Sequence, residues 1–379
     1  MLSVISSLHR YIALDAIRGI AAISVLITHW VTWTIKFSDE PLTNLIMSCL
    51  NHAINFFWAA GGAHPGVIIF IVLSGFCIHL SQVKRINTNR NKILSYWKSF
   101  FLKRGIRIFP VFWVGLLLGL IYVSFVGQQA EFSTGLFFSF LGLGEIGRLI
   151  YPLDIFYTGN SPLITVGVEI LLYASYPLVL FVLLRFGVYY IFLAPGFFYI
   201  LIAALRAKGI GLEFLISSYG ELFLYWVIGI YFANSFYHRT GRGIYFFQSR
   251  QLLICLFIVY LFITHLVKIR GLFFVCSPLF AVIVGLFIYQ ILSEKRNANS
   301  FWAGVFRRLA YFGDRSYSLY AFHAPIILFV IAIFGNRITY SSWVPWMAIL
   351  ASLCAMQVLF YYIELPTHKF ERRLNYPGG

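Results

Sequence analysis

The stretch YIALDAIRGIAAISVLITHW, Tyr11–Trp30, decides the class of the fold. It is apolar enough to enter a bilayer, yet it carries Asp15, Arg18 and His29. Arg18 and His29 stand eleven positions apart. At about 100° per residue that is close to three helical turns, so both side chains leave one face of a helix. A rise of about 1.5 Å per residue separates them by roughly 16 Å. Asp15 lies one turn before Arg18. Ionisable groups at membrane depth are costly, so three along one stripe mark an inward-facing polar track. The same residues admit a plainer arrangement, in which Asp15 pairs with Arg18 near the membrane edge and His29 is satisfied inside a bundle.

Composition points the same way. The chain has 379 residues, of which 60% are hydrophobic and only 11% charged, and its mean hydropathy is +0.82. A soluble core needs no such apolar excess, so the expected class is an all-α, polytopic membrane helical bundle. Ten residues with a single Arg precede the first span, which reads as a retained anchor rather than a cleaved signal. Five cysteines are scattered without a CxxC pair, so neither a disulfide framework nor a metal site is implied.

A span takes about 20 apolar residues. On that measure ten are expected, at roughly 11–35, 65–82, 107–127, 163–185, 188–205, 214–236, 252–267, 271–292, 316–335 and 343–363. The seventh is short. The net charge of +16 does not imply nucleic acid, because the basic residues gather in short connections between spans. With both termini cytoplasmic, 21 Lys and Arg fall inside and 7 outside, and an odd number of spans scrambles that asymmetry. The whole of 1–379 is expected to form one membrane domain, with no C-terminal soluble esterase-like domain. Gly142, Gly144 and Gly147 match G-x-G-x-x-G, but outside a βαβ unit they serve a turn or close packing, not a nucleotide.

Four further stretches carry candidate chemistry. The second span, GVIIFIVLSGFCIHL, puts Ser74 and Gly75 mid-span, where small residues let helices approach. KRGIRIFP, Lys103–Pro110, sets Arg104 and Arg107 one turn apart at the inner mouth of the third span. Paired guanidinium forks suit phosphate, although alone they also read as ordinary positive-inside anchoring. The fourth span opens SPLITVGVEILLYASYP, with Glu169 about two turns inside the membrane and Tyr173 one turn further on the same face. Glu221 in the sixth span is a second intramembrane acid, in a weaker context. The ninth span, SYSLYAFHAPIILF, holds His323 beside Pro325 in the inner half of the bilayer. Alone, His323 reads as a satisfied core histidine. The chain closes on Glu364 and Pro366.

Taken in order, these stretches resemble the acyltransferase-3 family of membrane acyltransferases, which includes polysaccharide and nodulation-factor O-acetyltransferases. Arg18 and His29 resemble its opening Arg-x10-His pattern. Phe70–Phe76 resembles its FFVLSGF, Lys103–Pro110 its RRxxRIxP, and Ile164–Tyr173 its WSLxxEfxFY. Tyr317–Pro325 resembles its YSLYLFHxP, and Glu364–Pro366 its ExP close. The chain departs at Ile68, often an acid, at Ile164, usually Trp, and at Ile170 and Leu171, usually more polar.

The resemblance implies transfer of an acyl group, usually acetyl, from cytoplasmic acyl-CoA to a carbohydrate or glycolipid hydroxyl at or beyond the outer face of a bacterial plasma (inner) membrane, without a metal. It implies that Arg104 and Arg107 hold CoA phosphates and that Arg18 contacts the donor or neutralises developing charge. His29 would be the base or the acylated nucleophile. Asp15 tunes Arg18 and lies too far along the helix to orient His29. Glu169 is the expected orienting group, with His323, Tyr173 and Ser74 as further candidates. The competing class is a proton-coupled transporter or flippase, which buried charges also suit.

Overall fold

The computed structural model describes residues 2–58, 62–88, 93–127, 134–144, 159–208, 214–238, 247–266, 273–294, 301–335 and 343–373. Every regular element among them is helical. In chain order they are α1 (Leu2–Thr34), α2 (Pro41–Asn55), α3 (Pro65–Thr88), α4 (Ile93–Phe125), α5 (Thr134–Phe140), α6 (Leu163–Phe186), α7 (Leu193–Ala207), α8 (Phe214–Tyr237), α9 (Arg250–Leu266), α10 (Phe273–Ser293), α11 (Phe301–Asp314), α12 (Ser316–Phe334), α13 (Trp343–Leu359) and α14 (Leu365–Arg373).

The chain is an all-α polytopic membrane protein. Among the described residues, eight helical stretches are long and apolar enough to cross a bilayer: Ile12–Phe37, Pro65–Val83, Trp97–Phe125, Leu163–Phe186, Val188–Arg206, Phe274–Ser293, Ser316–Phe334 and Trp343–Glu371. They coincide with eight of the ten expected spans. The sixth expected span is α8, a helix of 24 residues, and the seventh is α9, which at 17 residues is as short as the sequence suggests.

The helices group into two compact units, both discontinuous in sequence. The first takes Met1–Ala21, Asn55–Ile93 and Leu171–Gly313. Its centre is the crossing of α3 and α8. A Cβ on Gly75 would overlap the carbonyl of Trp226, and one on Gly229 would overlap that of Val72. Mutual contact at small residues is how helices associate where lipid is as apolar as the side chains.

The second unit takes Ala22–Ile54, Leu94–Ile170 and Asp314–Gly379. Here α12 packs along α13, and Trp30 of α1 donates from its indole Nε1 to the Pro345 carbonyl at 2.6 Å. Gly142 follows α5 at φ 73°, a conformation that costs a side chain dearly, and it lies against Gly167 of α6. Those glycines serve a turn and close packing. Gly147 lies outside the described residues.

Prolines inside spans leave a carbonyl four residues back without its helical donor, which in lipid must be found elsewhere. In the second unit Pro325 orphans the Ala321 carbonyl, and the amide of Asn160 donates to it at 2.8 Å and to Gly115 O at 3.0 Å. In the first unit Pro278 orphans the Phe274 carbonyl, and the Tyr199 hydroxyl donates to it at 3.0 Å. Pro325 and Pro278 are therefore each matched by a polar side chain from a distant part of the sequence.

Candidate active site

Within the second unit, segments of three helices supply a cluster of polar groups: α1 with His29 and Trp33, α12 with Tyr320 and His323, and α6 with Thr165 and Glu169. His29 Nδ1 lies 2.8 Å from His323 Nε2. The two rings are nearly coplanar, 15° apart, with centroids at 5.1 Å. That spacing is what an edge-to-edge N–H···N bond gives, not a face-to-face stack.

The protons on this pair are set by its neighbours. His323 Nδ1 lies 2.9 Å from the Leu319 carbonyl, which can only accept, so Nδ1 carries the proton. A neutral His323 then has its lone pair on Nε2, and His29 Nδ1–H donates to it. A neutral His29 therefore keeps its own lone pair on Nε2. His323 is buried at 1% exposure, whereas His29 is half-buried. Trp33, one turn beyond His29, stacks on the imidazole at 4.6 Å and 17° and holds its plane. The His29 ring is thus held on one edge and one face, and its Nε2 has no hydrogen-bond partner among the described residues.

Beside this pair the Tyr320 hydroxyl bonds Thr165 Oγ1. Thr165 donates to the Pro162 carbonyl at 2.8 Å, so Tyr320 is the donor in its bond to Thr165. Glu169 lies within electrostatic reach of Tyr320. The group on His29 Nδ1 is His323. The count along the ninth span sets His323 in the inner half of the bilayer; its bond to His29 brings the two imidazoles to one level.

Helix α1 is unbroken from Leu2 to Thr34, so Arg18 and His29 share one stripe of a single helix. Arg18 pairs with Asp15 at 2.6 Å, the arrangement of the plainer expectation. In the first unit the hydroxyls of Ser74 and Tyr173 meet at 3.1 Å, and Glu221 pairs with Arg206 at 2.5 Å. Arg104 and Arg107 are half-buried on successive turns of α4, with Arg104 lying 5.9 Å from the Phe100 ring. Near them α12 is tied to α4, the Tyr317 hydroxyl donating to the Ile108 carbonyl at 2.9 Å.

Trp33 and Asn160 do not stand out in the sequence. Trp33 is four residues after His29, and neighbours at that spacing touch along a helix. Asn160 has a weaker signal: Pro325 announces a freed carbonyl, but nothing local says what fills it.

A family profile described as an acyltransferase domain matches residues 11–365, nearly the whole chain. No curated protein and no solved structure matches it.

Proposed function

This chain belongs to the acyltransferase-3 family of membrane acyltransferases, and from that premise we propose that it moves an acyl group, acetyl in the simplest case, from cytoplasmic acyl-CoA to a hydroxyl of a cell-surface or exported carbohydrate. The observation that carries this reading is the Nε2 of His29, left without a partner among the described residues on a ring held by His323 on one edge and by Trp33 on one face.

His29 acts as general base. Its Nε2 takes the proton of the acceptor hydroxyl as that oxygen attacks the thioester carbonyl. The carbon–sulfur bond breaks, and the proton passes from the imidazolium to the leaving thiolate, releasing CoA as the thiol. During the step His29 carries a positive charge that is shared across the bond to His323. An imidazole suits this work because its ordinary pKa lies close to the operating pH. Arg104 and Arg107 offer forks of donors for the phosphates of the donor. Arg18 is held by Asp15 on the same stripe as His29 and would meet the donor's arm. The Tyr320 ring lies beside His323, with centroids 6.0 Å apart, and its hydroxyl bonds Thr165.

The test is His29→Ala in washed membranes supplied with radiolabelled acetyl-CoA, with label followed into the surface glycan fraction. Transfer should fall by at least about 10³-fold while the protein stays folded in the membrane. Retained transfer removes His29 from the chemistry. Label trapped on the protein as an acyl-imidazole would make His29 the nucleophile instead of the base. Substrate-dependent proton flux without consumption of acetyl-CoA would favour a transporter.

A further inference from the structure

Helix α12 carries both His323 and Tyr320, and it begins without a cap of its own. Arg315 occupies the position before Ser316 and makes no side-chain capping bond. The first N–H groups of a helix have no partner within it. Ser318 finds one 46 residues away: its N–H donates to Glu364 Oε2 at 3.0 Å, and its hydroxyl donates to the same oxygen at 2.6 Å. Glu364 is 2% exposed. Its other oxygen faces His368 Nε2 at 3.8 Å.

A π turn brings Glu364 there. Phe360–Glu364 is π-helical, and the Leu365 N–H bonds back to the Phe360 carbonyl, five residues earlier. The extra residue of a π turn rotates the residues beyond it by about 100° relative to an unbroken α-helix. Pro366, next but one, has no N–H for the Tyr362 carbonyl, so the α pattern is already broken at this place. Arg315 clasps the same junction, with Nε on Gln357 Oε1 at 3.0 Å and its guanidinium 4.4 Å over the Phe360 ring. A buried carboxylate is tolerated here because it meets two donors and the positive end of a helix at once.

From this anchor a short path leads to the reactive nitrogen. Ser318 precedes Leu319, whose carbonyl accepts from His323 Nδ1, and His323 Nε2 accepts from His29 Nδ1. We propose that Glu364 is a positioning residue for acyl transfer. It sets the depth and rotation of the first turn of α12, and so the placement of His323 and the tautomer in which His29 waits. The proposal rests on the reading of His29 as the reacting base.

The experiment compares Glu364→Gln, Glu364→Ala and Ser318→Ala in the full-length protein. It measures kcat and KM with acetyl-CoA, and ¹⁵N-histidine NMR of the detergent-solubilised protein. Glu364→Ala should lower kcat by about thirtyfold, Glu364→Gln by about tenfold and Ser318→Ala by about threefold, all at unchanged KM. In the spectrum the His29 and His323 nitrogens should move from fixed tautomers toward averaged ones. A merely structural anchor would lower the yield of folded protein without moving kcat or the spectrum of what remains. Folded Glu364→Ala with wild-type kcat and spectrum overturns the proposal. Should neither Glu364 variant fold, Ser318→Ala decides alone, and wild-type behaviour there overturns it. Should the wild type transfer nothing while the nitrogens still move, the positioning role stands and the acyl-transfer reading falls.

Discussion

His79 and His29 are both imidazoles within membrane helices, and their second nitrogens tell them apart. His79, in the first unit, has Nδ1 on the Tyr176 hydroxyl at 3.1 Å and Nε2 on Asn234 Oδ1 at 3.3 Å. The amide oxygen accepts from Nε2–H, and the phenol donates to Nδ1, so both edges are taken and the ring is 1% exposed. His29, in the second unit, has one edge on His323 and, among the described residues, no partner on the other edge of a half-buried ring. Burial of an imidazole in a bundle therefore says little by itself. What separates these two histidines is whether the neighbours use both nitrogens or only one.

Substitution at each imidazole and at its neighbours separates the two. After removal of His29 itself, the largest effect should come from His323→Ala, which frees His29 Nδ1 and lets its proton move to Nε2. Turnover with acetyl-CoA should fall by about 10²-fold at unchanged KM, since a base presented in the wrong tautomer is a poor one. An effect under threefold would show that His29 needs no partner to hold its proton. A smaller loss is expected for Trp33→Ala, which removes the ring that stops the imidazole from turning. A kcat lowered by about tenfold is expected there, with most of it restored in Trp33→Phe, where a stacking face remains.

His79→Gln should have the smallest effect on turnover. The folded variant should work within about twofold of wild type, while its thermal midpoint in detergent drops, because Tyr176 and Asn234 lose a shared partner at a cost of about 1–3 kcal/mol. A large loss of kcat in folded His79→Gln would erase the distinction between the two sites.

How far the sequence leads depends on the distance between the partners. Asp15, Arg18 and His29 lie on one helix, so their spacing is enough to put them on one stripe and to suggest the Asp15–Arg18 pair. Ser74–Gly75 announces a close helix crossing, and Gly75 does meet the Trp226 backbone. His323 stands out as an ionisable group in an apolar span, yet alone it reads as a satisfied core residue. Its tie to His29 joins positions 294 apart, and no local pattern carries such a pairing. Glu364 is visible as the acid of a closing motif. Its chemistry is not, because it depends on a π turn and on a helix start far upstream.

Hydropathy, the length of the apolar runs and the placement of basic residues determined that this chain is a helical membrane protein, with spans close to the helices observed. These are local properties, fixed by the cost of bare backbone and charge in lipid. The tertiary structure alone decided which imidazole nitrogen stays open, which side chains take the carbonyls that Pro325 and Pro278 release, and which carboxylate caps α12. Each of those is a hydrogen bond between residues far apart in the chain, and its existence depends on angstrom-level proximity that one-dimensional patterning does not encode.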